Sequence, residues 1–254
     1  MRRFLYKFLI LLYNLYALLL FIVLMFFIFP LVIIASFLQP IQSGNAIYRL
    51  CMFWADIWFP LVGILHKNIY ESLHDKSRAY IFVSNHISFL DAPIIVKTFR
   101  QRLRALGKVE MTKVPVFGFI YKNAIVTVDR DNASDRSKSV KKLKAILQKG
   151  ISILIFPEGT FNESGNALKS FYDGAFRIAI ETQTAIKPVL FLDAHDRMPY
   201  KGFFTLNPGK NRSVFLEEVS VAGLTVNDLP ALKDKVFAIM EQKLIEYKAS
   251  WIKA

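Results

Sequence analysis

The feature that most constrains this chain is an almost unbroken apolar run over residues 8–38. About 20 apolar residues cross a bilayer as a helix, so this run is long for one straight crossing and short for two. The apolar core of a secretory signal is shorter, about 7–15 residues, and precedes a small-residue cleavage site. Pro30 lies inside the run and is expected to divide it, because proline breaks or kinks a helix. The run therefore predicts a membrane anchor.

A second apolar stretch, from Ala46 to Leu65, contains charged residues and several aromatic ones. This mixture is typical of a helix at the membrane–water interface. We predict that residues 1–66 form the anchor, either as a kinked or re-entrant helical pair or as one span followed by an interfacial helix. The mean hydropathy of +0.33 agrees with partial exposure to lipid.

After residue 66, short apolar runs alternate with longer charged segments of helical period, which is typical of α/β domains. We predict an α/β fold for residues 67–254, with a mixed sheet flanked by helices, following the N-terminal membrane-anchoring helical segment. The predicted strands are 79–84, 104–108, 125–129, 151–155, 186–192 and 213–218. The predicted helices are 92–101, 114–122, 135–149, 171–183 and 228–252.

The net charge of +13 favours anionic partners, such as nucleic acid, lipid head groups or phosphorylated metabolites. Basic residues are concentrated between Lys97 and Lys113 and again on the predicted helix 135–149. No nucleic-acid-binding motif is recognisable, whereas attraction to an anionic membrane surface fits both the charge and the apolar run. We therefore predict a membrane partner and no nucleic acid. The single cysteine, Cys51, excludes an intrachain disulfide.

Several predicted strands end in polar or charged residues, and ligands of α/β sheets bind beyond the carboxyl ends of the strands. The candidate site residues at these ends are His86 and Asp91, Lys108, Arg130, and Glu158, Gly159 and Thr160. Arg130 is suited to a phosphate because its planar guanidinium can donate two parallel hydrogen bonds. A surface ion pair with a neighbouring aspartate is the open alternative. Backbone N–H groups in the turn at residues 157–160 could bind an oxyanion, or form a plain turn.

His86 and Asp91 are the residues here that could carry out proton transfer. On one ideal helix they would point about 140° apart, so they can meet only if the chain turns between them. The carboxylate would then hold one ring nitrogen and leave the other free as a general base. In the alternative interpretation, Asn85 and Ser88 cap a helix and His86 is a surface loop residue.

In type and order, these segments resemble the motifs of the glycerolipid acyltransferase family, most closely of the 1-acylglycerol-3-phosphate acyltransferases. The matching segments are Asn85-His86-x4-Asp91; Lys108-x-Glu110 with Pro115 and Gly118; Val128-Asp129-Arg130; Phe156-Pro157-Glu158-Gly159-Thr160; and Ile186-Lys187-Pro188-Val189. The resemblance covers residues 80–192. A His-x4-Asp pair alone is weak evidence, but its combination with a later Phe-Pro-Glu-Gly-Thr segment is specific.

The resemblance implies acyl transfer from a thioester, acyl-CoA or acyl-carrier protein, to the sn-2 hydroxyl of a lysophosphatidate. His86 would be the general base and Asp91 its orienting partner, with no covalent acyl-enzyme. Lys108 and Arg130 would bind the acceptor phosphate or the developing oxyanion. Glu158, Gly159 and Thr160 would shape the glycerol-phosphate site. No cofactor and no metal are expected, because the histidines lack zinc-ligand spacing. A cytosolic donor and the basic N-terminus place residues 67–254 on the cytoplasmic side of the membrane.

Two departures from the family pattern leave the acceptor open. Val128 replaces the usual aromatic residue before Asp-Arg, and Phe161-Asn162 replaces the usual Arg-Ser after the third motif. Lys169 is a candidate replacement for that arginine. The chain could therefore acylate another lysolipid, such as a lyso-aminolipid. A non-catalytic, basic membrane-surface protein is the alternative from another functional class.

Overall fold

The computed structural model describes residues 2–129, 131–200, 202 and 204–253. The helices are α1 Arg2–Ser36, α2 Pro40–Leu61, α3 Asp91–Thr98, α4 Phe117–Ala124, α5 Ala133–Leu147, α6 Gly174–Thr182, α7 Ala194–Arg197 and α8 Leu229–Glu246. The strands are β1 Ile64–Tyr70, β2 Ile81–Ser84, β3 Leu103–Lys108, β4 Val126–Val128, β5 Ser152–Ile155, β6 Ile186–Phe191 and β7 Gly209–Phe215. Short 3-10 turns cover Val109–Lys113 and Val226–Asp228.

The strands form one sheet in the order β1-β7-β6-β2-β5-β3-β4. Its neighbouring strands are parallel except for the antiparallel pair β6–β7. The predicted α/β fold with a mixed sheet flanked by helices is confirmed. Every residue of β2, β5 and β6 is buried, because helices cover both faces of the sheet centre. The parallel strands β2 to β6 therefore end at one edge of the sheet, which we call the catalytic edge.

Strand β1 was not predicted from the sequence. It begins at Ile64, inside the stretch assigned to the anchor, and pairs with β7 from Ile64↔Gly209 to Tyr70↔Phe215. Its alternation of buried and exposed residues is that of an edge strand, which is a weaker signal than a fully apolar run. The sheet thus starts before the predicted boundary at residue 66. The assignment of residues 1–66 as an anchoring domain stays a prediction.

Helix α1 continues through Pro30, so the proline does not break the apolar run into two helices; the predicted kink stays a prediction. A proline removes one hydrogen bond within a helix, and packing on either side can offset the loss. Ile28 and Val32 flank Pro30 and are buried at 5% and 0% exposure. Tertiary packing therefore holds the helix together across the proline.

Helices α1 and α2 pack against each other as a hairpin. The ring centroids of Phe21 and Trp54 are 4.8 Å apart, and Trp58 Nε1 donates a hydrogen bond to the carbonyl of Ala17 at 3.2 Å. The opposite face of α1 is uncovered, with Phe26 at 75% exposure and Phe27 at 69%. The segment Phe4–Ser36, in which an 18-residue window reaches a mean hydropathy of 3.3, is long and apolar enough to cross a membrane.

Candidate active site

The chain reverses direction between the end of β2 at Ser84 and the start of α3 at Asp91. This turn brings His86 Nδ1 within 2.7 Å of Asp91 Oδ2. The same carboxylate oxygen accepts the backbone N–H groups of Ile87 at 2.8 Å and Ser88 at 3.0 Å. Asp91 is fully buried, so three donors in a water-free environment fix its position.

The imidazole of His86 lies partly in solvent, with 22% of its side chain exposed. A carboxylate can only accept at this site, so Nδ1 carries the hydrogen, and in the neutral ring Nε2 keeps its lone pair. Among the described residues Nε2 has no hydrogen-bond partner, and it is available to a ligand. The ring stacks on Phe156, with centroids 4.2 Å apart and planes at 13°, and also contacts Phe161 at 4.2 Å.

The backbone of His86 is held on both sides by the segment that follows β5. Glu158 Oε1 accepts the N–H of His86 at 2.8 Å, and the N–H of Asn162 donates to the carbonyl of His86 at 2.8 Å. The other oxygen of Glu158, Oε2, accepts the backbone N–H of Lys169 at 2.8 Å. Both carboxyl oxygens of Glu158 thus bind protein backbone. Burial raises the pKa of Glu158 to about 7, although these two hydrogen bonds act in the opposite direction.

The turn after Glu158 contains Gly159 and Thr160, and the ammonium group of Lys169 lies against it. Gly159 has φ of +72°, which other residues adopt only with strain, and a Cβ there would lie 2.7 Å from the ring of Tyr172, so glycine is favoured at this position. Thr160 is exposed, and its hydroxyl accepts a hydrogen bond from Lys169 Nζ at 2.8 Å. The positive charge of Lys169 therefore lies beside the third motif.

The remaining predicted site residues are placed differently. Lys108 ends β3 and is exposed, two strands away from β2, which corresponds to about 10 Å at the spacing of neighbouring strands. The structure shows no hydrogen bond or ion pair joining Lys108 to the described residues around His86. Arg130 lies outside the described residues. The structure thus brings together His86, Asp91, Glu158, Gly159 and Thr160, and leaves Lys108 apart; their functional roles stay predictions.

The alternative that Asn85 and Ser88 cap a helix is wrong. The side chain of Asn85 donates to the carbonyl of Phe191 at 3.0 Å and accepts its N–H at 2.8 Å, which joins the ends of β2 and β6. The hydroxyl of Ser88 donates to the carbonyl of Met198 at 2.5 Å. Both residues fix the loop that carries His86. Sequence reasoning noted Phe161 only as a missing arginine, and did not anticipate that it packs against His86.

An apolar cavity lies between the α1–α2 hairpin and helices α3 and α4. Its wall includes Phe21, Met25, Trp54, Ala92, Pro93 and Ile120. Ala92 and Pro93 directly follow Asp91 on α3, so the helix that begins with Asp91 forms part of the cavity wall. The described residues hold no group of three or more His, Cys, Asp or Glu side chains with metal-binding geometry. The expectation that no metal or cofactor is needed stays a prediction.

The amino-acid sequence is similar to a known family profile and to proteins of known name. A family profile described as Acyltransferase matches residues 65–192. The mouse protein 1-acyl-sn-glycerol-3-phosphate acyltransferase alpha is 30% identical over 162 residues, which are 63% of this chain and 56% of that protein. This chain thus spans little more than half the length of the mouse protein. The 1-acyl-sn-glycerol-3-phosphate acyltransferase of Haemophilus influenzae is 28% identical over 196 residues, 76% of this chain and 80% of that protein.

A solved structure is similar over the whole chain. The 1-acyl-sn-glycerophosphate (LPA) acyltransferase PlsC from Thermotoga maritima superimposes with a TM-score of 0.73 at 25% identity, and the match covers 100% of both chains. The family profile covers half of this chain, from β1 to the end of β6, and includes every residue of the histidine–aspartate site. On these grounds the chain belongs to the acyltransferase family.

Proposed function

We propose that this chain transfers a fatty acyl group from an acyl thioester to the sn-2 hydroxyl of 1-acylglycerol-3-phosphate, giving phosphatidate. The observation that carries the proposal is the bond between His86 Nδ1 and Asp91, which leaves Nε2 free on a partly exposed ring. The names of the mouse and Haemophilus influenzae relatives support the same reaction.

In the proposed mechanism, Nε2 of His86 removes the proton of the sn-2 hydroxyl while the hydroxyl oxygen attacks the thioester carbonyl. The tetrahedral intermediate then expels the thiolate, which takes the proton from Nε2. Asp91 keeps the ring oriented and stabilises the imidazolium that forms between the two steps. A positioned base of this kind contributes typically about 10²–10⁴-fold to the rate. The acyl group passes directly to the acceptor, so no covalent acyl-enzyme is formed.

The acceptor phosphate is assigned to cations near the catalytic edge. Lys169 is the best supported, because its ammonium group is held at Thr160 in the turn after Glu158. It takes over the charge of the arginine that the third motif usually contains. Lys108 and Arg130 are further candidates from the sequence. A cation at this turn favours a phosphate-bearing acceptor over an uncharged one or a lyso-aminolipid.

The apolar regions suit lipid substrates. The cavity beside Ala92 and Pro93 can receive an acyl chain whose reacting carbon is at His86. Helix α1, with its uncovered apolar face, would hold the protein at the bilayer from which the acceptor comes. The thioester donor, acyl-CoA or acyl-carrier protein, is cytosolic, so the sheet domain is assigned to the cytoplasmic side. Glu158 acts on the backbone of His86 in this scheme.

The test is a transfer assay with the purified full-length protein in detergent. Radiolabelled acyl-CoA and acyl-carrier protein are each offered with lysophosphatidate, lysophosphatidylcholine and a lyso-aminolipid. We expect labelled phosphatidate as the main product, and about 10²–10⁴-fold slower formation of it by His86→Ala. Faster acylation of either acceptor that lacks a phosphomonoester would reject the acceptor assignment, and no transfer to any acceptor would support the non-catalytic alternative.

A further inference from the structure

Besides the apolar cavity, a polar cleft lies at the edge of the sheet opposite to the catalytic edge. It has a volume of about 250 Å³, and we call it the basic cleft. Its lining residues are Asn45, Tyr48, Arg49, Met52, Lys76, Arg100, Gln101 and Arg102. Arg102 directly precedes β3, whereas Lys108 ends that strand, so the two edges are about 17 Å apart along β3 at 3.3 Å per residue.

Four of the lining residues are cations and none is acidic. Arg100 forms an ion pair with Asp56, but Arg49, Lys76 and Arg102 have no acidic partner among the described residues. The acid next in sequence to Lys76, Asp75, accepts hydrogen bonds from Ser77 instead. Like charges that converge on one cleft repel each other, and a bound anion would relieve that repulsion.

A buried charge behind the cleft adds to this positive potential. Arg104 is 4% exposed, and its guanidinium donates to the carbonyls of Leu103 and Ile41 and to Asn45 Oδ1, none of which carries a charge. Because a guanidinium can only donate, the amide oxygen of Asn45 must face Arg104. The NH₂ group of Asn45 is then left as a donor to the cleft.

Exposed apolar side chains lie on α2 and in the turn before it. Phe53 lies on α2 one turn after Arg49 and is 59% exposed, and Phe37, just before α2, is 85% exposed. Helix α1, with its uncovered apolar face, is joined to α2 by the short turn at residues 37–39. A group that brings a phosphate to the cleft from a bilayer would therefore have acyl chains where these rings are uncovered.

We propose that the basic cleft is a phosphate-binding site, separate from the catalytic edge, that takes the phosphate head group of an anionic membrane lipid. Arg49, Arg102 and Lys76 donate to the phosphate oxygens, as does the amide of Asn45. Arginine is suited to this because its fork can bind two oxygens at once. The lipid holds the first half of α2 at the membrane surface while the catalytic edge is left free.

The experiment is native mass spectrometry of the full-length protein in uncharged detergent. The added probes are dioctanoyl phosphatidate, dioctanoyl phosphatidylcholine, inorganic phosphate and adenosine 3′,5′-bisphosphate. Arg49→Ala/Arg102→Ala should bind one phosphatidate fewer than wild type, with affinity for that molecule reduced at least about tenfold. Lys141→Ala/Lys142→Ala, which removes the same charge from exposed positions on α5, should keep the wild-type number.

Further measurements separate this proposal from folding and from catalysis. Arg49 and Arg102 are exposed, so the double variant should melt at the wild-type temperature; Lys76→Ala provides an independent, weaker loss. The acyl-transfer rate of the Arg49→Ala/Arg102→Ala variant at saturating substrates should equal that of wild type, whether or not lysophosphatidate is the preferred acceptor. Equal phosphatidate binding by the cleft variant and wild type would overturn the site. If the variant lost only the binding of inorganic phosphate or adenosine 3′,5′-bisphosphate, the cleft would be a site for soluble phosphates, and the lipid assignment would be overturned.

Discussion

The carboxyl group of Glu158 accepts the backbone N–H of His86 at 2.8 Å across a sequence separation of 72 residues. Its second oxygen holds the backbone of Lys169, so the third motif contacts the first through main-chain hydrogen bonds. Glu158 is therefore placed to hold the backbone of His86, and its role in substrate binding stays a prediction.

We expect His86→Ala to reduce kcat by about 10²–10⁴-fold, because the reaction loses its base. Asp91→Asn should fold and yet be strongly slowed, because an amide can turn its NH₂ towards the ring and favour the wrong tautomer. Steady-state kinetics with circular dichroism as the folding control measure both effects. More than a tenth of wild-type turnover in His86→Ala would contradict the assignment of the base.

Glu158→Gln should lower kcat for acyl transfer with little change in the KM of either substrate. The amide cannot accept from both backbone N–H groups, so the backbone of His86 loses its alignment, whereas substrate contacts are kept. Asn166→Ala, an exposed change in the same loop, is the control. A rise in the KM for lysophosphatidate at constant kcat would show instead that Glu158 binds the acceptor, as the family resemblance implies.

The raised pKa of Glu158 also predicts a pH dependence of stability. Because the folded pKa, about 7, exceeds the ordinary value of 4.5, the folded state binds this proton more tightly than the unfolded state. The contribution to the unfolding free energy is therefore fully present below pH 4.5 and is lost as the pH rises to 7, by about 3 kcal/mol. Glu158→Gln should lack this slope in melting temperatures measured from pH 4.5 to 7.5. An unchanged slope would contradict the assignment.

The lowered pKa of His66 predicts a pH dependence of stability with the opposite sign. Burial lowers its pKa from 6.5 to about 4, and Asn68 and Asn211 bind its two ring nitrogens as suits the neutral form. The folded state thus binds this proton less tightly, and stability should fall as the pH is lowered from 6.5 to 4. His66→Gln should flatten this acid limb relative to wild type. If both proteins lose stability equally between those pH values, His66 is not the responsible group.

Lys169→Ala should lower kcat/KM for lysophosphatidate by about 10- to 150-fold, as expected for the loss of one charged hydrogen bond. The backbone N–H that holds Glu158 is kept, so the effect should appear in the KM for the acceptor and not in that for the donor. Lys142→Ala on α5 is the charge-matched control. A comparable loss with an acceptor that lacks a phosphate would assign Lys169 to the fold.

The apolar face of α1 predicts attachment that does not depend on charge. Washing membranes with about 1 M salt should not release the protein, because salt screens only electrostatic attraction. Phe26→Asp/Phe27→Asp should weaken attachment, since a charge at the bilayer centre costs about 2.5–3.5 kcal/mol. Lys141→Ala/Lys142→Ala, which lowers the net charge by the same two units, is the control. Release of the wild type by salt alone would assign attachment to the basic residues.

The sequence predicted the sheet well where strands are buried on both faces, because such strands are uniform apolar runs. It missed β1, whose alternating edge pattern follows α2 without a polar break, and it missed the continuity of α1, which depends on the buried neighbours of Pro30. The turn between His86 and Asp91 followed from their spacing. The packing of Phe161 on His86 and the backbone bonds of Glu158 could not be foreseen, since both depend on a loop that returns from a distant strand.

The hydrogen bonds around His86 join segments that are far apart in the chain, with Asn85 and Phe191 separated by 106 residues. Contacts of such long range form late, because the entropy of closing a large loop must be overcome before they can form. Helical circular dichroism should therefore recover earlier than acyl transfer when the denatured protein is diluted into detergent. A nascent chain that ends before residue 191 would contain His86 without the Phe191 contact that fixes its loop, so we expect acyl transfer only when the central strands are complete.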